Sequence, residues 1–153
     1  MDRTGIIIPP PLLGILCIAF GFIADYIKPM PMFDSKGMIH IVSGIALIVI
    51  AACIIFMARK QFIAHGTHPS PFTPTSAIVV TGIYSMSRNP IYVAFLLVVI
   101  AFAFFTNSIW FLVSAVLLFF LLTFIVIKGE ERFLKGKFGA EYDAYCKRVR
   151  RWI

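Results

Sequence analysis

The sequence predicts an all-α membrane protein with four transmembrane helices, of which the last two form a helical hairpin over about 90–127, followed by a cytoplasmic amphipathic C-terminal helix. Three observations carry that prediction. The chain is 60% apolar and 14% charged, against roughly 45–50% apolar and about 25% charged in soluble domains. That excludes an ordinary water-soluble domain, and a disordered chain equally. Next, charged residues leave three gaps: 21 residues between Arg3 and Asp25, 22 between Lys36 and Arg59, and 39 between Arg88 and Lys128. A charge near the bilayer centre costs at least about 2.5 kcal/mol, so such gaps mark the spans. Finally, the basic residues between the spans fall almost entirely on one side.

Each element then follows in order within one membrane domain, 1–153. At about 1.5 Å per residue the first two gaps match a hydrocarbon core of about 30 Å, predicting spans over about 9–27 and 38–58. The third gap is nearly twice too long and must fold back. Its polar break is Thr106-Asn107-Ser108, which predicts spans over about 90–105 and 108–127 joined by a tight turn. The loop 59–89 carries Gly66, Pro69, Pro71, Pro74 and Gly82, so it is read as ordered turns rather than one helix. Ile78, Val79, Val80, Ile83 and Tyr84 are expected to fold that loop back onto the membrane surface.

The tail 128–153 opens on Glu130 and Glu131. Read as the C-terminal end of the fourth helix, they oppose its dipole, so a separate partner should favour them. Phe138, Tyr142, Tyr145, Val149 and Trp152 then recur at spacings of 4, 3, 4 and 3. That stripe predicts an amphipathic helix on the headgroups or over the loop, set off by Gly136 and Gly139.

Orientation follows from the basic residues, because cytoplasmic loops retain Lys and Arg. Four spans put both termini on one side, with twelve Lys and Arg there and only Lys28 and Lys36 opposite. Termini, middle loop, tail and site are therefore expected to be cytoplasmic, with the net charge of +7 drawn to anionic headgroups. A nucleic-acid partner is not expected, since the bilayer is the nearer polyanion. Phe22 and Ala24 give no small-x-small cleavage pattern for a signal peptide. Cys17, Cys53 and Cys146 have no ligand spacing, and His65 and His68 lack a thiol or carboxylate partner nearby, so no disulfide and no metal is expected. His40 reads as a packing or interfacial residue.

Chemistry concentrates at two places on the cytoplasmic side. Asn89-Pro90 is a helix N-cap followed by the preferred first-turn proline, and Arg88 lies beside it. Free backbone N–H groups and the positive end of the dipole suit a carboxylate or phosphate there. With the Glu130-Glu131 pair and several tyrosines, such a face could hold a zwitterionic cofactor such as S-adenosylmethionine. The same composition would serve a lipid headgroup.

The run Thr81-Gly82-Ile83-Tyr84-Ser85-Met86-Ser87-Arg88-Asn89-Pro90-Ile91-Tyr92 resembles the G-x-Y-x-x-x-R-H/N-P-x-Y signature of the integral membrane methyltransferases. These include isoprenylcysteine carboxyl methyltransferases and phosphatidylethanolamine N-methyltransferases. Glu130-Glu131-Arg132-Phe133-Leu134 is similar to their E-E-x-x-L element, and Phe138 to Tyr145 to their F-G-x-x-Y-x-x-Y, with Val149-Arg150-Arg151-Trp152 after it. The resemblance covers about residues 62–153. Asn89 stands where the eukaryotic enzymes have His, and Lys128 is the nearest basic residue to an Arg beside their carboxylate pair.

This resemblance implies S-adenosylmethionine as cofactor, held by Ser76, Ala77, Ile78, Val79, Tyr84, Asn89, Pro90, Tyr92, Glu130 and Glu131. It implies catalytic roles for Arg88, Glu130 and Glu131. The implied acceptor is a lipophilic small molecule or lipidated group entering from the bilayer, first an isoprenylcysteine-type carboxylate and alternatively the amine of phosphatidylethanolamine. A carboxylate needs no proton removed, whereas an amine must first be neutral, and neither motif holds a convincing histidine. Two readings without catalysis stand beside it. In a small helical membrane protein the motifs would only cap helices. A channel or carrier would want polar groups at mid-membrane depth, where the spans offer little beyond Ser43, Ser114 and Thr123.

Overall fold

The computed structural model describes residues 8–34, 37–64 and 78–153. The described residues form five α-helices, of which the first four take in the apolar runs. They are α1 (Pro10–Ile27), α2 (Met38–Ala64), α3 (Pro90–Thr106), α4 (Trp110–Phe138) and α5 (Ala140–Arg148), with a 3₁₀ turn at Gly82–Ser85. Helices α1, α2 and α4 are long and apolar enough to cross a membrane, and α3 is an apolar helix of 17 residues. Their outward faces carry Ile15, Leu16, Ile23, Ile39, Phe56 and Val116, all more than half exposed. In water such surfaces would be a liability; against lipid they are the expected finish.

Helix α3 is central, touching α1, α2 and α4, and α1 also packs on α4. Small residues allow this: Ala94, Ala101 and Ala103 of α3 are fully buried, as are Phe111, Leu118, Leu122, Val126 and Ile127 of α4. The hairpin turn falls where the polar break predicts it. Asn107 ends α3 in the left-handed conformation (φ 55°, ψ 47°), which Asn tolerates better than most residues. Its amide also fastens the α1–α2 connector, donating from Nδ2 to Phe33 O at 2.8 Å and accepting from Phe33 N at Oδ1, 3.0 Å. Trp110 Nε1 donates to Lys28 O at 2.7 Å. One end of the bundle is thereby closed.

At the other end two expectations change. Helix α2 runs to Ala64 rather than 58. Helix α4 does not stop at 127 but continues to Phe138, with a π-helical stretch at Leu122–Ile127. Glu130 and Glu131 therefore lie inside a helix, and no C-terminal dipole opposes them. Gly136 is an ordinary helical position, and the break falls at Gly139, whose φ of 51° and ψ of −121° suit glycine alone. The charge-free part of α4 ends at Ile127.

The stretch after Ala77 is held between two helices. Val79 and Tyr84 pack on Ala58 and Phe62 of α2, while Ile78 and Val80 pack against Tyr142, Tyr145 and Val149. Phe138, Tyr142, Tyr145 and Val149 of the predicted tail stripe thus form a seam over the loop, whereas the helix ends at Arg148 and Trp152 packs on Phe119 of α4. His40 stacks on Phe33 with ring centroids 4.4 Å apart.

Candidate functional site

The candidate site is built where the start of α3, the C-terminal extension of α4 and the tail converge. The 3₁₀ turn begins at Gly82, which has φ 59°; a Cβ there would lie 2.3 Å from the Gln61 side chain. This glycine lets the signature run close to α2. Thr81 Oγ1 donates to Gln61 Oε1 at 2.9 Å beside it. From α5, the Tyr145 hydroxyl donates to Tyr84 O at 2.6 Å within a buried seam.

Asn89 sits at the N-cap of α3, yet its side chain makes no capping bond. Nδ2 instead donates to Arg151 O at 2.8 Å, and the Arg88 N–H donates to Arg150 O at 3.1 Å. Residue type predicts a local cap, and a long-range bond to the tail takes precedence. Pro90 is buried in the first turn as expected.

The carboxylates divide between two faces of α4, since neighbouring helical residues point about 100° apart. Glu130 turns toward α3 and accepts from the Tyr92 hydroxyl at 2.7 Å. Glu131 turns toward the tail. It meets Arg88 Nη2 at 3.1 Å and takes a bidentate pair from Arg151, Nε to Oε1 at 2.9 Å and Nη2 to Oε2 at 2.7 Å. Such fork geometry is the strong form of the interaction. Arg88 Nη1 also contacts the Tyr142 hydroxyl at 3.5 Å and Cys146 Sγ, while its buried Nε has no partner among the described residues.

Electrostatics follow from burial. Loss of hydration pushes the Glu130 carboxyl up to about 7, opposed by the Tyr92 hydrogen bond and reinforced by Glu131 next door. Burial likewise raises the Tyr84 and Tyr142 phenols far above their ordinary range and Tyr145 to about 12. All three stay uncharged at physiological pH and act as neutral hydrogen-bonding groups. The Tyr84 phenol is close enough to Glu130 to feel its charge. Hydrogen bonding to Glu131 favours the charged form of Arg151 still further.

The structure therefore gathers Tyr84, Tyr92 and Glu130 on one face, and Arg88 and Glu131 on the next. Val79 is buried behind Tyr84, and Ile78 packs with the tail. Ser76 and Ala77 lie outside the described residues, as do His65 and His68. Sequence reasoning did not single out Tyr142, Cys146 or Arg151 for the site. The aromatic stripe was the signal for Tyr142, and for Arg151 only the run of arginines before Trp152.

The chain matches the phospholipid methyltransferase family over residues 39–141, about two thirds of its length. It belongs to that family. For this phospholipid methyltransferase homologue the match begins earlier than the motif resemblance, taking in α2, and it stops before the end of the tail that carries Arg151. No curated protein matches it, and no solved structure does either. The family is one of methyltransferases acting at membranes, in keeping with the apolar helices. Among the described residues, no group of three or more His, Cys, Asp or Glu side chains gathers as metal ligands would.

Proposed function

We propose that this protein transfers a methyl group from S-adenosylmethionine to a lipophilic acceptor at the membrane, in the four-span, cytoplasm-facing arrangement read from the charges. The observation that carries the reading is the meeting of two motifs forty residues apart, through Tyr92–Glu130 and Arg88–Glu131, in a chain of the phospholipid methyltransferase family. The residues fit the cofactor. Glu130 offers a half-desolvated carboxylate for the ammonium or ribose hydroxyls, Tyr84 and Tyr92 offer aromatic walls, and the start of α3 at Asn89-Pro90 suits a carboxylate. The unpartnered buried Arg88 Nε points to a site completed by something further. Ser76, Ala77, Ile78 and Val79 would continue that wall.

The bound cofactor supplies an electrophilic methyl group on a sulfonium. The chain's own work is alignment and exclusion of water, which suffice for much of the barrier in an in-line displacement. Arg88 and Glu131 hold the start of α3, the extension of α4 and the tail in register, so that Glu130 and Tyr92 stay fixed at the cofactor. Val126 and Ile127, fully buried one turn before Glu130, close its membrane side.

Two acceptor chemistries fit. The family favours a phospholipid amine, and the lack of a histidine in either motif favours an isoprenylcysteine-type carboxylate. Calorimetry of S-adenosylmethionine with the detergent-purified protein tests the core of the proposal. Saturable binding should weaken at least tenfold in both Arg88→Ala and Glu130→Gln. No binding up to millimolar concentration, in a folded protein, would overturn it. Labelled methyl transfer to an ethanolamine phospholipid or to a prenyl thioether carboxylate then separates the acceptors.

A further inference from the structure

The Arg88–Glu131–Arg151 cluster lines an open cleft of about 460 Å³ between the extension of α4 and the tail. Five of its lining residues are cationic and two are acidic. The carboxylates are already committed: Glu131 to Arg88 and Arg151, and Asp143 to Lys135 at 3.1 Å. Lys128 and Arg132, one turn apart on α4, have no carboxylate within 4.0 Å among the described residues, and both are exposed. The Lys128 ammonium instead rests 4.4 Å above the Phe124 ring, and Arg132 Nε donates to Lys128 O at 3.2 Å. Phe124, 56% exposed, belongs to the charge-free stretch of α4. The cleft thus runs from the hydrocarbon edge, through two unneutralised cations, to a positively charged floor.

The geometry points to a binding site for the phosphodiester headgroup of an anionic phospholipid of the surrounding leaflet. Lys128 and Arg132 grip the phosphate, and the first acyl carbons lie along Phe124. Residues at i and i+4 stand about 5–6 Å apart, a spacing that lets two cations bracket one phosphate. Each basic residue near an anionic surface contributes about 1 kcal/mol, or about fivefold in affinity. The site adjoins the proposed cofactor site, sharing Arg88 and Glu131 with it but neither Tyr92 nor Glu130, and its occupancy does not require methyl transfer.

The test is thermal melting of the full chain in an uncharged detergent, titrated with dihexanoyl phosphatidylglycerol, dihexanoyl phosphatidylcholine or inorganic phosphate. Phosphatidylglycerol should raise the midpoint saturably, at a concentration about fivefold or more below either alternative. Lys128→Gln combined with Arg132→Gln should demand roughly twentyfold more lipid, while Arg132→Lys should keep most of the response. If the double variant does not fold, Lys128→Gln alone should demand about fivefold more. Equal responses to both lipids, a phosphate response as strong as the lipid's, or unchanged variants would each overturn the proposal. So would displacement of phosphatidylglycerol by saturating S-adenosylmethionine, which would make the cleft the cofactor's own.

Discussion

Glu130 is the residue on which the proposed cofactor site can be weighed by pH alone. Burial pushes its carboxyl up to about 7 by disfavouring the ion. With a folded pKa above the ordinary value of 4.5, its protonated form is the one folding favours below neutrality. That stability is lost as pH rises through 7. A bound cation reverses the preference. Cofactor binding should therefore release a proton below pH 7, weakening about tenfold for each unit below that point and levelling off above it. Calorimetry at several pH values in buffers of different ionisation enthalpy would measure both effects. Glu130→Gln should flatten the profile at the acid-side affinity, and a sloping profile in that variant would remove Glu130 from the site. Glu130 stood out in the sequence as one of an acidic pair; its separation from Glu131 did not. That separation depends on α3 and the tail approaching different faces of one helix, from positions 38 and 20 residues away. Asn89 shows the same limit, since its partner at Arg151 is 62 residues distant.

Elements were legible wherever apolar length and a polar break decide them, and illegible where a helix had to be stopped by conformation. The hairpin turn at Asn107 follows from a polar residue able to adopt positive φ. Helix α4 ran past its expected end because Gly129 costs only about 1 kcal/mol in a helix, whereas Gly139 adopts a backbone that no helix continues. Close approach of helices was also invisible in the sequence, and it supports a comparison. A Cβ on Gly21 would lie 2.8 Å from the Phe111 ring, which is fully buried and packed against Phe22 and Phe102. A Cβ on Gly44 would lie even closer to Phe105, at 2.4 Å, yet that ring is 38% exposed and can turn toward lipid. Gly21→Ala should therefore cost about 1–3 kcal/mol, the usual range for overpacking, and Gly44→Ala distinctly less. Thermal melts of the two variants in one detergent would check the order. A larger loss at Gly44 would mean that the α2–α3 contact, rather than the α1–α4 contact, is the rigid seam.

For the whole molecule, the two ends of the bundle sort charge as the spans alone had suggested. Lys28 lies at the end closed by Asn107 and Trp110. At the opposite end are Arg88, Lys128, Arg132, Lys135 and Arg151 with the candidate site. Because Lys and Arg are retained on the cytoplasmic side, the site end should face the cytoplasm and the Asn107 end the other compartment. The charge bias carries this expectation, and α3 must span for it to hold. At about 1.5 Å per residue its 17 residues extend about 26 Å, slightly short of the core, which local thinning or flanking residues can absorb. The arrangement can be read with a membrane-impermeant maleimide on sealed, right-side-out vesicles. The three native cysteines are first replaced by alanine, and Asp34→Cys or Lys147→Cys is then introduced, both exposed positions. Asp34→Cys should label in intact vesicles and Lys147→Cys only after permeabilisation. Labelling of both from outside would mean an even number of crossings between them and leave α3 as a half-span. Labelling in the opposite order would invert the molecule and put the cofactor site where S-adenosylmethionine is not made.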